Sequence, residues 1–535
     1  MSQNARQDEE LNTQRRAQVL GLQYIDTSKV AEPKLYKELL TNEELYSLKV
    51  IPVMVDKSHV LFGITNTTSQ QTMKSLAQRF LDQRISFGLI SETGYSNYMK
   101  LYDPPKKVVY QDIALNTAGS QGLIERVSAM LKEIKPDDML AYLVEQAHNL
   151  AASDIHMECQ REYVRLRFRI DGVLHPIGTI AFDRYRTLMA VIASAGNISA
   201  SDPNAQQGHI AEDVRMANGS TVSVNVRLET VPTVNGIDVV MRLFNMDASN
   251  YTLDRLGLAS DERAIVDDII SKPSGLVLVV GPTGSGKTTT LYSILNTLNS
   301  DERKIITVED PVEYQFPGIV QIPVNTQAEG NDGSFAAKLR AILRLDPDIV
   351  MVGEIRDNDT AKTALQASLT GHLVLSTFHA SSAAAALTRL EDIIGANPLF
   401  VSAIRLVMAQ RLIRKLDDSS KQLYSATPSE VSIITGVIGT LPPSYTKPDL
   451  TNLQLYKAGS STDNPYGFSG QLALREQFTM NGPIRTLLET QHETISAQSI
   501  EEAAIASGML TMLQKGILKV IAGETTLDEV YRVVG

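Results

Sequence analysis

The sequence GPTGSGKT at residues 281–288 determines the fold of the central part of this chain. It fits the pattern G-x-x-x-x-G-K-[ST]. Residues 276–280 before it are a short apolar run typical of a buried parallel strand, and residues 289–298 after it are typical of a helix. The glycines let several backbone N–H groups point at one anion, assisted by the positive end of the helix. The alternative, a chance glycine turn before a helix, is disfavoured by this context, so we expect a nucleoside triphosphate site.

Two side chains of this phosphate loop have expected roles of their own. Lys287 would reach the β- and γ-phosphates, and the Thr288 hydroxyl would ligate Mg²⁺. The residues expected to bind the nucleotide are Gly281, Pro282, Thr283, Gly284, Ser285, Gly286, Lys287, Thr288 and Thr289.

Composition limits the class of protein. The net charge of −11 argues against nucleic acid as the default partner, because binding to a phosphate backbone needs a basic surface. Cys159 is the only cysteine, which excludes an intrachain disulfide and fits a reducing compartment. The polar N-terminus resembles no signal peptide, and no run of 18 apolar residues occurs. We expect a soluble cytosolic protein that reaches a membrane only through a partner.

With 535 residues the chain is too long for one core, and it is predicted to be a multidomain α/β protein. Strands alternate with helices after residue 247, as in a doubly wound sheet. Residues 419–465 are rich in Ser, Thr, Pro and Asn, and the chain is expected to end in helix, with Thr525 as an N-cap. The expected parts are a flexible lead (1–20), a small α/β domain (21–101), a linker (102–135), an α+β domain bearing arginines (136–246), a P-loop domain (247–416), and an irregular segment followed by a helical subdomain (417–535).

Acidic residues follow two of the predicted strands of the P-loop domain. Glu309 and Glu313 come at the end of one strand, and Glu354 follows another. Strand ends of this kind form the ligand-binding edge of an α/β sheet. Hydrolysis needs one acidic group to hold the metal and another to orient or deprotonate water. An acid at a single strand end is more often a helix cap or a surface charge. Acids at two strand ends of the sheet that carries the phosphate loop favour a catalytic role.

Histidines and arginines provide further candidates. His379, at the end of the predicted strand 373–377, could donate to a γ-phosphate, whereas His372 at its start is as well explained as a structural residue. Arginines alternate on the predicted strand 164–170, and more follow along the α+β domain. They are either a solvated sheet face or a source of one or two arginines that neutralise charge during phosphoryl transfer.

These residues together resemble the secretion ATPases of type II secretion and type IV pilus assembly, from about residue 21 to the end. The segments that carry the resemblance are ASDIH (152–156), RFRIDG (167–172), the phosphate loop, EDPVE (309–313), VGEIRD (352–357), TGH to TFH (370–379) and QRL (410–412).

The resemblance implies a homohexameric ring that binds ATP between a PAS-like α+β domain and a RecA-like domain. It implies that Glu313 activates water, that Glu354 is the Walker B residue near Mg²⁺, and that Arg169 and Arg184, then Arg227, reach the γ-phosphate. It further implies a location at the inner face of the cell membrane, contact with a platform protein there, and a partner-binding first domain that also suits an adaptor. Assembly is favoured over retraction.

One departure from the family concerns zinc. The family often carries four cysteines after the position of Arg414, and this chain has none there, so no zinc is expected and residues 417–470 must fold otherwise. Two other functions stay open from the sequence: a nucleotide-gated scaffold that does no mechanical work, and a DNA-transport motor, which the acidic composition disfavours.

Overall fold

The computed structural model describes residues 3–27, 34–56, 58–102, 113, 119–200, 202, 204–215, 221–244, 251–324, 334–395, 399–461, 464, 466–480, 482–490 and 495–535. The chain divides into two compact units, Met1–Tyr110 and Gln111–Gly535. Across these described ranges, no helix is long and apolar enough to cross a bilayer.

The first unit contains a four-stranded sheet in the order β1-β4-β3-β2, with β2 antiparallel to β3 and the other pairs parallel. Its core is apolar and includes Leu45, Val50 and Phe62, which are fully buried. The elements are α1 Gln3–Leu20, β1 Gln23–Tyr24, α2 Asn42–Leu48, β2 Val50–Val55, β3 His59–Ile64, α3 Gln70–Arg79, β4 Arg84–Leu89 and α4 Glu92–Tyr102.

A helix, α1, occupies the stretch for which the sequence suggested a flexible polar lead. Thr13 and Ala17 on this helix are buried. Glu10 accepts hydrogen bonds from the hydroxyls of Ser91 and Tyr24, each at 2.7 Å. The helix escaped prediction because it is polar almost all round, and apolar periodicity is the signal by which surface helices are recognised.

The first part of the second unit, residues 119–244, is called the arginine domain. It contains an antiparallel sheet in the order β7-β6-β5-β10-β9-β8. On β6 the alternation predicted from the sequence is confirmed, because Val164, Leu166 and Phe168 are buried and the intervening arginines lie on the other face. The elements are α5 Gly119–Glu133, α6 Pro136–Asn149, β5 Ala152–Cys159, β6 Val164–Ile170, β7 Val173–Ile180, α7 Phe182–Gly196, β8 Gln206–Arg215, β9 Thr221–Thr233 and β10 Gly236–Phe244.

Helix α5 lies inside the stretch expected to be a linker, 102–135. Its residues Leu123, Val127 and Leu131 are spaced by four and are buried. The helix also holds the sheet through Ser128, whose hydroxyl accepts from the backbone N–H of Thr179 at 2.8 Å. The i, i+4 spacing was a readable helix signal. The rest of the linker prediction, 103–112 and 114–118, lies outside the described residues.

The second sheet of this unit has the order β13-β12-β14-β15-β11-β16-β19 and is parallel except where β16 meets β19. Both faces are covered, because Leu276 and Leu278 pack in one core cluster and Val277 and Val279 in another. We call this part the P-loop domain.

The P-loop domain and the C-terminal residues share one hydrophobic core. Their elements are a 3₁₀ turn Leu253–Leu256, α8 Ser260–Ile270, β11 Gly275–Val280, α9 Lys287–Leu298, β12 Ile305–Glu309, β13 Val320–Pro323, α10 Phe335–Ile342, a 3₁₀ turn Leu343–Leu345, β14 Ile349–Val352, α11 Asn358–Leu369, β15 Leu373–Phe378, α12 Ala383–Ile394, α13 Leu399–Ala403, β16 Ile404–Leu416, β17 Gln422–Ser425, α14 Pro428–Gly439, β18 Gln454–Lys457, β19 Phe468–Thr479, α15 Gly482–Thr490, α16 Ala497–Ala506, α17 Met512–Ile521 and α18 Leu527–Val534.

Residues 417–470 are more regular than the sequence suggested. They include helix α14, which begins after Thr427 with a capping box to Glu430 and with Pro428 in its first turn. They also include the two-stranded sheet of β17 and β18. The capping pattern was present in the sequence, but the surrounding Ser, Thr and Pro residues concealed it.

The expected N-cap at Thr525 is wrong by one residue. Thr526 caps α18, because its side chain accepts from the backbone N–H of Glu529. Thr525 is fully buried, and its hydroxyl donates instead to the carbonyl of Arg414 at 2.8 Å. Both residues are N-cap types, so the sequence alone did not separate a cap from a buried tether.

Glu529 joins the last helix to the end of β16. It is buried and accepts hydrogen bonds from the backbone and guanidinium of Arg414, at 2.9 and 2.8 Å, and from Arg532 at 2.8 Å. Burial acts to raise the pKa of this carboxyl, but the two arginines prevail and lower it to about 2. The ionised form is therefore stabilised by folding.

We predict that Glu529→Ala lowers the free energy of unfolding by about 3 kcal/mol at pH 7, because it leaves the largely buried Arg414 guanidinium and the Arg414 backbone N–H without their acceptor. Calorimetric unfolding measures the loss. Glu489→Ala is the control, since Glu489 forms an exposed i, i+4 pair with Arg485 and should cost less than about 1 kcal/mol. Because the folded pKa is depressed, the contribution of Glu529 is present above about pH 4.5 and fades as the pH falls toward 2. Equal losses in the two variants would contradict this account.

Candidate functional site

The phosphate loop and the candidate catalytic residues meet at one edge of the parallel sheet. Strand register aligns Val280 with Phe378, Val352 with Ser376, and Val308 with Val352. The loop after β11, the acid after β14, the histidine after β15 and the acids after β12 therefore leave the sheet on the same side. This is the carboxyl edge, where α/β sheets bind ligands.

The loop itself has the geometry of a phosphate cradle. Helix α9 begins directly at Lys287, and the N–H groups of a first helical turn have no intrahelical acceptor. The Lys287 ammonium donates to the carbonyls of Gly281 and Pro282, both at 2.9 Å. Burial lowers the pKa of Lys287, while the charge of Glu354 opposes the shift. Within the described part of the chain, the buried Ser285 hydroxyl has no hydrogen-bond partner, so it is available to donate a hydrogen bond to a bound anion.

Glu354 is the centre of a second group at this edge. Its carboxylate pairs with Arg356, and His379 Nε2 lies 3.4 Å from it. The imidazole is half exposed, and burial together with the charge of Lys287 lowers its pKa, with the charge of Glu354 opposing. The neutral imidazole is thus favoured, which retains one N–H donor. Glu354 and the half-buried Thr288 present the oxygen ligands that Mg²⁺ prefers, so the residues fit that ion.

Glu309 is enclosed by hydrogen-bond donors. Its carboxylate accepts from the hydroxyls of Tyr292 and Thr307 and from the Gln321 amide, the last at 3.0 Å. The carboxyl is buried, and Tyr292 is fully buried as well. The Tyr292 oxygen in turn accepts from the backbone N–H of Glu313 at 3.2 Å. Glu309 is therefore linked through Tyr292 to the backbone of Glu313.

Glu313 has the electrostatic environment of a proton acceptor. Burial and the neighbouring charge of Glu309 raise its pKa, while the charges of Arg242, Arg227 and Lys287 oppose the rise. A carboxylate with a raised pKa is a stronger base than one in water, which suits the role of proton acceptor.

The candidate arginines are not all brought to this site. The charge of Arg227 acts on Glu313, and Arg227 also pairs with Glu229 at 3.2 Å. Arg169 lies 3.4 Å from Asp154 and donates to the Gly172 carbonyl at 3.1 Å.

Arg184, the other arginine implied by the resemblance, is engaged by the helices of its own domain. It lies on α7 and donates to the Ile134 carbonyl between α5 and α6. In the described residues, the recorded contacts of Arg169 and Arg184 thus lie within the arginine domain.

Three residues at the site, Tyr292, Gln321 and Arg356, were given no role from the sequence. An aromatic residue in the helix after the loop is usually core, and nothing in the sequence links Tyr292 or Gln321 to a carboxylate downstream. Arg356 follows Glu354 by two residues, and that spacing was the one available signal. Arg242 is one of the arginines that follow along the α+β domain, but its closeness to Glu313 depends on how two sheets pack.

The chain has clear relatives among known proteins. The family model for Type II/IV secretion system protein matches residues 133–532. Type II secretion system protein E of Pseudomonas aeruginosa is 37% identical over 469 residues, which cover 85% of this chain and 89% of that protein. The type IV pilus assembly ATPase PilB of Thermus thermophilus is 36% identical over 427 residues, which cover 79% of this chain and 46% of that protein.

A solved structure shares the fold. The ATPase DotB of Legionella pneumophila superposes with a TM-score of 0.53 at 22% identity, covering 75% of this chain and 95% of that one. The predicted fold class, a multidomain α/β protein with a RecA-like domain, is confirmed. With the family model spanning most of its length, this chain belongs to the type II/IV secretion system protein family.

Proposed function

We propose that this chain is a motor ATPase that hydrolyses ATP to ADP and phosphate and drives type IV pilus assembly or type II-like secretion. The observation that carries the proposal is the convergence of the phosphate loop, Glu313, Glu354 and His379 at one sheet edge. Support for the biological setting comes from relatives named as a type II secretion protein E and a type IV pilus assembly ATPase.

The loop would bind the triphosphate. Bound ATP and Mg²⁺ supply the reactive γ-phosphate and part of the positive charge beside it. The N–H groups at the start of α9 and the Lys287 ammonium would hold the phosphates, and Lys287 would exchange its two carbonyl acceptors for phosphate oxygens. Thr288 and Glu354 would hold the ion, with Glu354 giving up its contact with Arg356 or His379.

Glu313 would orient the attacking water and take its proton. Its raised pKa suits that task, and the Tyr292 hydroxyl fixes its backbone. Glu309 contributes by holding Tyr292, since its carboxylate is already occupied by donors. His379 would donate to the γ-phosphate. Arg227 has the charge and position to assist in the same chain, whereas Arg169 and Arg184 would need to exchange their present partners.

The assembly belongs to the proposal as well. We infer a cytoplasmic homohexamer at the inner face of the cell membrane, where the first unit binds a platform protein or an adaptor. Ring closure would let an arginine of one subunit reach nucleotide held by the next, and hydrolysis would then move the two domains against each other.

We predict that Glu313→Gln reduces steady-state phosphate release by about 10²- to 10⁴-fold, because the amide cannot accept the proton. The dissociation constant for ATP should stay within threefold of the wild type, because the loop is untouched. Phosphate release in Mg²⁺ and titration with a fluorescent ATP analogue measure the two quantities.

The control for that variant is Glu302→Gln, an exposed acid in the same domain, which should turn over like the wild type. Turnover by Glu313→Gln at the rate of the control would remove Glu313 from the role of base. ATP binding without turnover in the wild type would instead favour a nucleotide-gated scaffold.

The pH dependence follows from the raised pKa of Glu313. The base must be ionised, so activity falls as the pH drops through that pKa, which lies above the ordinary carboxyl value of 4.5. Arg242→Gln removes a charge that lowers the pKa, so the acid limb of kcat/KM should move to higher pH. Arg485→Gln, which alters an exposed helical pair, should leave the limb in place. An unmoved limb in Arg242→Gln would count against Glu313 as the titrating base.

The hexamer has a direct mass signature. Light scattering of the purified chain with Mg²⁺ and a non-hydrolysable ATP analogue should give about six times the protomer mass of 58.6 kDa. A monomer mass under every nucleotide condition would contradict the ring.

A further inference from the structure

A buried glutamine on β16 forms hydrogen bonds with the phosphate loop and with the helix after it. Gln410 is 2% exposed, and its side-chain amide donates to the Ser285 carbonyl at 2.5 Å. Its side-chain oxygen accepts from the Thr290 hydroxyl on α9 at 2.9 Å. One side chain is therefore bonded both to the loop and to the first turn of helix α9.

The glycines at the two ends of the loop make this close approach possible. A β-carbon on Gly286 would lie 2.7 Å from the Gln410 side-chain nitrogen, and one on Gly281 would lie 2.6 Å from the Gln410 carbonyl oxygen. Both glycines also have positive φ, at 83° and 153°. These two positions thus serve the contact between the loop and β16 in addition to any contact with phosphate.

The hydrogen-bonded chain continues away from the loop through Arg475 on β19. Arg475 is 2% exposed, and its Nε donates to the Gln410 side-chain oxygen at 3.0 Å. Its Nη2 donates to the Leu256 carbonyl at 2.8 Å. Leu256 ends the 3₁₀ turn that leads from the arginine domain into the P-loop domain. Burial lowers the pKa of Arg475 to about 10, which still leaves the guanidinium charged at neutral pH.

We propose that Gln410 and Arg475 are positioning residues that set the conformation of the phosphate loop and tie it to the connector at Leu256. Their role would be exercised through Ser285, Thr290 and Leu256, to which they are bonded. Together they transmit the position of the connector, and so of the arginine domain, to the affinity of the loop for phosphate. The inference rests on the proposed nucleotide site.

The test compares two buried glutamines in the full-length chain. Gln410→Leu should raise the dissociation constant for a fluorescent ATP analogue at least tenfold in Mg²⁺, with kcat at saturating ATP reduced less than threefold. Gln514→Leu is the matched control, because Gln514 is equally buried but bonds to Thr440 among the C-terminal helices. It should lower the thermal midpoint and leave the dissociation constant within twofold of the wild type.

Two further variants keep the test decisive. Gln410→Glu keeps the size and the acceptor atoms facing Thr290 and Arg475 but cannot donate to Ser285, so it should also weaken binding at least tenfold even if Gln410→Leu fails to fold. Arg475→Met should also weaken ATP binding, because Gln410 loses the donor to its side-chain oxygen. The double variant with Gln410→Leu should bind ATP no more weakly than the single variant that shows the larger loss.

The outcomes separate this inference from the proposed function. ATP binding by the wild type together with near-wild-type affinity in Gln410→Glu and Arg475→Met would overturn the positioning role and leave the proposed function intact. Fully additive losses in the double variant would overturn the connection between the two residues. A wild-type chain that does not bind the ATP analogue would overturn the proposed function, and this inference with it.

Discussion

The register of the parallel strands is the constraint on which the site depends. Because β11, β14, β15 and β12 run in one direction and are aligned, everything that follows them emerges at the same edge. Burial of both faces of the sheet fixes that register, since a shift by one residue would exchange the side chains of two separate cores. The chemistry at the edge thus depends on apolar packing behind it.

Charged groups at this edge shift one another's pKa values in opposite directions. Desolvation and the neighbouring charge of Glu309 raise the pKa of the half-buried Glu313, and cations from two domains limit the rise. Lys287 and His379 are shifted the other way, toward their neutral forms, by burial and by neighbouring cations. This arrangement of charges suits a highly charged ligand, because a triphosphate and its metal would form new ion pairs with groups that now pair with one another. Any movement of the arginine domain would change this balance at Glu313.

The sequence predicted the parts of the site that depend on local patterns. The glycine loop, the acids at strand ends and His379 are each fixed within a few residues of an apolar strand, so strand, loop and helix could be placed from the sequence. Through-space links could not: Tyr292 with Glu309, and Gln410 with Ser285, join residues far apart in the chain. The long antiparallel pair of β16 and β19 was missed because its mixed polar and apolar residues show no clean alternation. Helix α1 was missed because it is polar.

On the proposed function, the loop at residues 281–288 binds ATP for hydrolysis at this edge. The most direct measurement is phosphate release by the purified full-length chain and by Lys287→Ala, each supplied with ATP and Mg²⁺. We expect steady release by the wild type and a loss of at least a hundredfold in the variant, because the cation that would hold the β- and γ-phosphates is gone. Equal release by the two proteins, or none by the wild type, would contradict it.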